Sequence, residues 1–306
     1  MNLRFSVVTP SFYQGRFIER TIQSVLAQKS SNIEIDFVIC DAGSKDETLE
    51  VLKFYEDQVR WVSEPDKGQA DAVNKGIAMT TGDIIAWINS DDIYYPGAFE
   101  AVRAIFEAHP DVLALYGDAD HVDEQDEFLE AYPTESWNYQ RLRETCFLCQ
   151  PAVFFRRNLI EKFGGLDDSL KYCMDYDLWL RWGKYISFHY LSQKLAGSRL
   201  YKDNKTLGQR IAVHYEINEM FRRKFGKVPE KWIFGYAHVK VEETFNLDRT
   251  KVRQNIKFVD FLIYNSLWAF WHWNHCISLE ALSKMGFWWF GSRIAWLKLL
   301  VLLKRL

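Results

Sequence analysis

Five apolar residues, Ile84-Ile85-Ala86-Trp87-Ile88, run directly into Asn89-Ser90-Asp91-Asp92. The pattern predicts a buried strand that ends by presenting two adjacent carboxylates at its carboxyl tip. Hard cations such as Mg²⁺ and Mn²⁺ prefer oxygen ligands, and one or two carboxylates plus a substrate's phosphates suffice to hold them. A solvated turn or the start of a helix would use the same residues. Two other strand ends carry polar groups: Pro10-Ser11 follows Phe5-Ser6-Val7-Val8-Thr9, and Asp41 follows Ile35 to Cys40. A second acidic pair, Asp118-Ala119-Asp120, follows the apolar Leu113 to Tyr116. Placed before a polar stretch from Gly117 to Glu135, it reads as a structural or acceptor-side turn.

The elements that must position these groups alternate between strand and helix patterns. After the first strand, Ile18, Ile22, Val25 and Leu26 share one helical face, and after the second, Ser44 with Glu47 has the spacing of a capping box. Val59 to Val62 reads as a short third strand, and Ala70, Val73 and Ile77 mark the next helix. Pro96 opens a helix carrying Phe99, Val102, Ile105 and Phe106 that stops before Pro110. This order predicts an α/β fold, a mostly parallel sheet with helices on both faces. In such sheets ligands lie outside the carboxyl ends of the strands, where strand order reverses, so the three polar ends should converge on one crevice. Gln150 to Phe155 reads as an edge strand, and from Thr206 helical patterns dominate.

The 306 residues are 48% hydrophobic and 26% charged, with a formal net charge of -3, which gives no electrostatic case for nucleic acid. Cys40, Cys146, Cys149, Cys173 and Cys276 are too scattered for a disulfide framework and suggest reduced thiols in a cytoplasmic setting. Cys146 and Cys149 have metal-knuckle spacing without a second pair and read as buried structural thiols. Met1-Asn2-Leu3-Arg4 lacks the apolar core of a secretory signal.

Several ordered motifs together resemble the family 2 glycosyltransferases of GT-A fold. They are Val7-Val8-Thr9-Pro10-Ser11, Asp41 to Asp46, Glu64 to Gly76, Asn89 to Asp92, Gly164-Gly165-Leu166-Asp167 and Asp175 to Arg181. The resemblance implies a nucleoside-diphosphate sugar, with UDP or GDP, as donor. Pro10, Ser11 and Tyr13 would form the loop around its nucleotide and Asp41 would accept a base N–H, although an Asp before Ala-Gly also stabilises turns. Gly68 and Gln69 would turn helix N–H groups toward the donor. Asp71 would either contact the donor or only favour the positive end of that helix. Asp92 becomes the ligand of a divalent cation, Mn²⁺ or Mg²⁺, and Asp91 a partner of the donor ribose or sugar. Asp175 takes the place of the general base of an inverting transfer, with Asp177 the alternative cap. Met174 stands where relatives commonly carry Glu, and Tyr201 where they carry His. Arg199, Lys202 and Lys205 are available either to phosphate or to solvent. Processive synthases carry Gln-x-x-Arg-Trp, whereas here Leu178 precedes Arg181-Trp182, which favours a non-processive enzyme.

The expected organisation is a catalytic domain over residues 1–205, with a nucleotide-sugar half at 1–116 and an acceptor half at 117–205, then a helical, aromatic-rich region at 206–306. From Lys251 onward lie six of the twelve tryptophans and eight Lys or Arg against two acids, a balance suited to an anionic membrane surface. Phe287 to Leu303 is seventeen residues long and contains Arg293 and Lys298, each costing about 2.5–3.5 kcal/mol at the centre of a span, so an interfacial helix is favoured over a spanning one. The aromatics would equally serve packing within the chain or a seam in a homo-oligomer. The expected activity is transfer of one sugar to a glycan or lipid-linked glycan at the inner face of the cell membrane. The alternatives are a degenerate nucleotide-sugar-binding scaffold and a sugar nucleotidyltransferase, for which Pro10 to Arg16 is a poor loop.

Overall fold

The computed structural model describes residues 3–202, 204 and 208–303, with side chains through 294. The chain divides into two compact units, Met1–Leu207 and Gly208–Leu306.

In the first unit, β1 (Arg4–Ser11) lies between two parallel partners, β2 (Glu34–Asp41) and β4 (Ile84–Trp87), and β3 (Arg60–Ser63) continues the parallel set beyond β2. The interiors of β1, β2 and β4 are buried and mostly apolar because helices cover the sheet: α1 (Gly15–Leu26), α2 (Thr48–Phe54) and α3 (Gln69–Met79). The chain continues through β5 (Ile93–Tyr94), α4 (Ala98–Ala108), β6 (Ala114–Val122), β7 (Phe128–Ala131), α5 (Tyr139–Glu144), a 3₁₀ turn (Gln150–Ala152) and β8 (Val153–Arg156). It closes with α6 (Asn158–Phe163), α7 (Met174–Gly183) and β9 (His189–Arg199). The sheet order is β3-β2-β1-β4-β8-β6-β9-β5, with β7 paired to β6. Strand order reverses at β1, whose successors in sequence and in crossover lie on opposite sides. Phe5, Phe99, Phe154 and Tyr94 fill the core beneath it, the Phe5 and Phe99 rings stacked at 4.7 Å and Phe154 edge-on to both.

Three local expectations need correction. Val153–Arg156 is a central strand between β4 and β6, not an edge, which accounts for its complete apolar burial. β6 runs on through Asp118 and Asp120 as far as Val122, because its parallel pairing with β9, through two register shifts, gives these residues ladder partners that no local signal shows. The capping box is also displaced: Asp46 caps α2, accepting from the Thr48 backbone N–H at 3.2 Å and its hydroxyl at 2.6 Å. Ser44 is drawn instead to Asp41.

The second unit holds α8 (Arg210–Phe225), α9 (Glu230–Thr244), α10 (Val252–Asn274) and α11 (Leu279–Leu303), with α9 packed between α8 and α10 and α11 against α10. Its small core joins Ala237 and Val241 to Phe258 and Leu262. Among the described residues no helix is long and apolar enough to cross a membrane.

Helix α3 lies directly on β1, and at Gly76 an added Cβ would collide with the fully buried Val8 side chain. Helix propensity alone would favour alanine there by roughly 0.5–1 kcal/mol, whereas overpacking costs about 1–3 kcal/mol. Gly76→Ala is therefore expected to lower the midpoint of urea unfolding; an unchanged or raised midpoint would show that the contact is slack.

Candidate active site

The register places Ser11, Asp41 and Ser63 side by side at the carboxyl edge of three parallel strands. Asp41 is buried there, and its carboxylate organises the loop that follows. Oδ2 accepts from the backbone N–H groups of Gly43 (3.0 Å) and Ser44 (2.9 Å) and from the Ser63 hydroxyl (2.6 Å), while Oδ1 accepts from the Ser44 hydroxyl. The turn-stabilising function weighed for Asp41 is thus present, and a donor base would have to use what capacity Oδ1 retains. Ser44 also receives the Tyr13 backbone N–H at 2.8 Å. That contact helps to hold Tyr13 at φ 54°, an uncommon conformation for a bulky residue. The held turn leaves the Phe12 and Tyr13 rings exposed, edge to face at 4.6 Å, beside a buried Pro10. Two buried oxygens here, Ser11 Oγ and Gln14 Oε1, have no hydrogen-bond partner among the described residues.

At the end of β4, Thr21 of α1 donates its hydroxyl to the carbonyls of Ser90 (3.0 Å) and Asp92 (2.7 Å) and so shapes the acidic loop. The carboxylates that emerge have different surroundings. Asp92, only 3% exposed, accepts the Arg199 backbone N–H at 3.0 Å on Oδ1 and the Asn89 amide at 3.3 Å on Oδ2. Burial, reinforced by the neighbouring Asp91 charge, pushes its pKa from 3.8 up to about 8 despite those donors. Asp91 accepts the Tyr201 hydroxyl at 2.7 Å, and the Tyr201 ring packs at 5.0 Å on Phe17 with the Arg16 guanidinium 4.6 Å from its centre.

Arg199 is not a free phosphate ligand. Its side chain is fully buried, pairs with Asp126, and donates to the Asp91 carbonyl. Arg20 reaches the other oxygen of Asp126 at 2.9 Å. Lys202 is exposed, and Lys205 lies outside the described residues.

The donor atoms at this loop suit a hard cation. Asp91 and Asp92 offer only oxygen, and a carboxylate forced toward protonation by burial and a neighbouring like charge is relieved by a positive ion. Among the described residues no cluster of three or more His, Cys, Asp or Glu forms a self-sufficient metal site. A cation would depend on these two carboxylates together with substrate oxygens and water, as Mg²⁺ commonly does.

Gly68 has φ 129° at the N-terminus of α3, and Gln69 donates to Asn89 Oδ1 at 2.7 Å. Because the Asn89 amide reaches Asp92, a chain of hydrogen bonds links the α3 N-terminus to the acidic loop. Asp71 accepts the Lys67 backbone N–H at 3.1 Å, the helix-start function weighed for it. Asp175 lies in the first turn of α7 and takes the Tyr176 N–H at 2.7 Å. Asp177, by contrast, is wholly buried and paired at 2.9 Å with Arg181, whose guanidinium also donates to the carbonyls of Phe163 and Gly165. Of the two, Asp177 is thereby committed to the fold. Asp92, Asp175 and Asp120 all act on the fully buried Cys149 thiol, whose pKa burial raises first and these three charges raise further, together with Cys146. Their electrostatic influence converges from different elements. Asp120 is paired with Lys194 at 2.9 Å and accepts the Tyr95 hydroxyl, and Asp118 accepts the Tyr190 hydroxyl at 2.8 Å.

Asn89, Thr21, Gln150 and the backbone of Arg199 escaped the sequence reading. Gln150 donates to the Trp87 carbonyl at 2.6 Å. Only Asn89, adjacent to the acidic pair, had a local signal; the others act across the fold.

The profile described as Glycosyl transferase family 2 matches residues 6–164, just over half of the chain. An uncharacterized glycosyltransferase of Rickettsia prowazekii is 27% identical over 249 residues, covering 76% of this chain and 76% of that one. Several other relatives are longer, and the matched stretch spans 27% to 36% of them. The mannosyltransferase PcManGT from Pyrobaculum calidifontis, in complex with GDP-Man and Mn²⁺, superposes with a TM-score of 0.57 over 96% of this chain and 81% of its own, at 18% identity. S. aureus TarS 1-349 in complex with UDP-GlcNAc gives 0.56 over 86% and 82%, at 14% identity. These likenesses establish the GT-A fold expected from the sequence.

The raised pKa of Asp92 has a definite sign for stability. Between its unfolded value near 3.8 and its folded value near 8 the native state alone keeps the proton, so stability is lost as pH rises through that window. In metal-free buffer, wild type should lose stability relative to Asp92→Asn between about pH 5 and about pH 8 by urea unfolding. Mn²⁺ should restore wild type alone; parallel pH curves for the two proteins would contradict the assignment.

Proposed function

This chain belongs to glycosyl transferase family 2, and we propose that it moves one sugar from a nucleoside-diphosphate sugar to a hydroxyl of a glycan or lipid-linked glycan, with inversion. The observation that carries the reading is the acidic pair at the β1/β4 reversal: two adjacent carboxylates, one buried and held toward protonation, clamped by Tyr201 and the Arg199 backbone.

The nucleotide would lie against the Tyr13 loop and the β2 tip, where exposed rings can stack on a base and Ser11 Oγ and Gln14 Oε1 await partners. Its diphosphate would run toward the N-terminus of α3, whose backbone N–H groups at Gly68 and Gln69 favour negative charge. Asp92 would hold the divalent cation, which when bound neutralises charge developing on the leaving diphosphate, and Asp91 would meet the donor ribose or sugar. Asp175 would take the proton of the attacking acceptor hydroxyl as that oxygen approaches the anomeric carbon opposite the leaving group, a single displacement. Leu178 stands where processive synthases carry Gln, which supports a non-processive enzyme. The basic, tryptophan-rich second unit would bring the enzyme to an anionic membrane surface on the cytoplasmic side.

Met174 and Tyr201 sustain a second reading, a nucleotide-sugar-binding protein without turnover. A panel of UDP- and GDP-sugars with Mn²⁺ should yield one donor that raises the melting temperature of wild type and leaves Asp92→Asn unchanged. Asp175→Asn should keep that thermal shift while kcat falls by about 10²- to 10⁴-fold. Full turnover by Asp175→Asn would move the base elsewhere. Donor binding without transfer or hydrolysis by wild type would favour the second reading.

A further inference from the structure

The second unit contains a groove of about 610 Å³ that the catalytic reading does not use. This is within the roughly 300–1,000 Å³ of small-molecule sites. Phe234 of α9, Phe258 and Leu262 of α10, and Phe287 and Trp288 of α11 supply its apolar wall. Two cations enter it. Lys284 lies 4.7 Å from the centre of the Phe234 ring and 5.4 Å from that of Trp288, and Arg249 lies 4.4 Å from that of Phe258. Neither Lys284 nor Arg249 is ion-paired with a carboxylate among the described residues, and no Asp or Glu lines the groove. Neighbouring basic residues, by contrast, are matched: Arg293 with Asp260, and Arg210 with Glu242 and Glu243. Two unpaired cations above aromatic rings, in a cavity without acids, form a site complementary to an anion bearing an apolar body.

The apolar surface does not stop at the groove. Phe287 at its lip is followed on the same face of α11 by Phe290 and Ile294, all three more than half exposed. A chain leaving the groove would find a continuous hydrocarbon-like track there, which a free phosphate or a nucleic acid would not use.

We propose that this groove binds the phosphate-bearing end of an anionic lipid, with Arg249 and Lys284 meeting the phosphate and the alkyl chain lying along Phe234, Phe258 and Trp288. The proposal deepens the membrane part of the function given above. Lipid binding is measured separately from donor binding, so the two readings can fail independently.

The decisive substitution is Gly291→Trp. Gly291 lines the groove, and a Cβ there meets nothing within 4 Å, so the backbone accepts a side chain whose ring would occupy the cavity while every charge is kept. With the full chain, calorimetric titration of dodecyl phosphate below its micelle concentration should show saturable binding. Inorganic phosphate and uncharged dodecyl maltoside should bind at least about tenfold more weakly. Gly291→Trp and the double variant Arg249→Gln/Lys284→Gln should each weaken dodecyl phosphate at least about tenfold while leaving the donor-dependent thermal shift unchanged. Equal affinity for dodecyl maltoside would overturn the role of the cations, and equal affinity for inorganic phosphate would overturn the role of the chain. Undiminished binding by Gly291→Trp would place the lipid on the outer surface instead of in the groove. Should Gly291→Trp fail to fold, the double variant decides: undiminished binding there overturns the assignment.

Discussion

Two adjacent carboxylates, Asp91 and Asp92, have to coexist at the end of a buried strand, and much of the first unit is arranged around that constraint. Like charges at such close range in a weakly polar setting repel strongly, and removing one of them from water adds a desolvation cost. The fold answers with fixed donors and with the buried Arg199 guanidinium beside the loop. The Arg199 backbone N–H meets Asp92, the Tyr201 hydroxyl meets Asp91, and Thr21 pins the carbonyls of Ser90 and Asp92. Burial of Asp92 and, after it, the Asp91 charge outweigh these partners, which is why the pKa of Asp92 stays raised.

The donors come from far along the chain. Arg199 and Tyr201 sit more than one hundred residues beyond the acidic pair, at the end of a strand whose parallel pairing with β6 carries it back across the sheet. Arg199 is held in turn by Asp126, and Asp126 by Arg20, so the β9 end, the β6–β7 turn and α1 are joined through one shared carboxylate. A second long-range strut, Asn74 of α3, exchanges two hydrogen bonds with the Leu166 backbone at 2.9 and 3.0 Å and ties the nucleotide-side helix to the segment leading to α7. These are buried or part-buried contacts in which the polar groups satisfy one another, the circumstance in which such contacts rigidify a site instead of weakening it.

The second unit follows a different physical logic. Its aromatic residues are distributed between a modest core and an exposed face. Trp273 is buried and donates its indole N–H to Glu219 at 2.6 Å, whereas Trp271 and Phe287 are largely open. Such a division is the one expected of helices that bury one stripe within the protein and offer another to an apolar or interfacial surrounding.

Sequence alone determined the elements whose cause is local. Short, mostly apolar runs identified β1, β2 and β4 because buried parallel strands need no strict alternation, and the polar groups at their ends followed from chain order. The spacing of Gly164-Gly165 and of Asp175 to Arg181 likewise carried the family resemblance. What sequence could not determine depended on which segments meet. The length of β6 through Asp118 and Asp120, the central place of β8, and the burial of Arg199 all arise from pairings between residues tens of positions apart. Asp177 and Asp175 are equivalent caps in one dimension, and only the packed structure separates them, because Arg181 one helical turn later reaches Asp177. A side chain's type fixes what bonds it can make, but its partners are fixed by the fold, because hydrogen bonds and desolvation depend on distances that only tertiary packing sets.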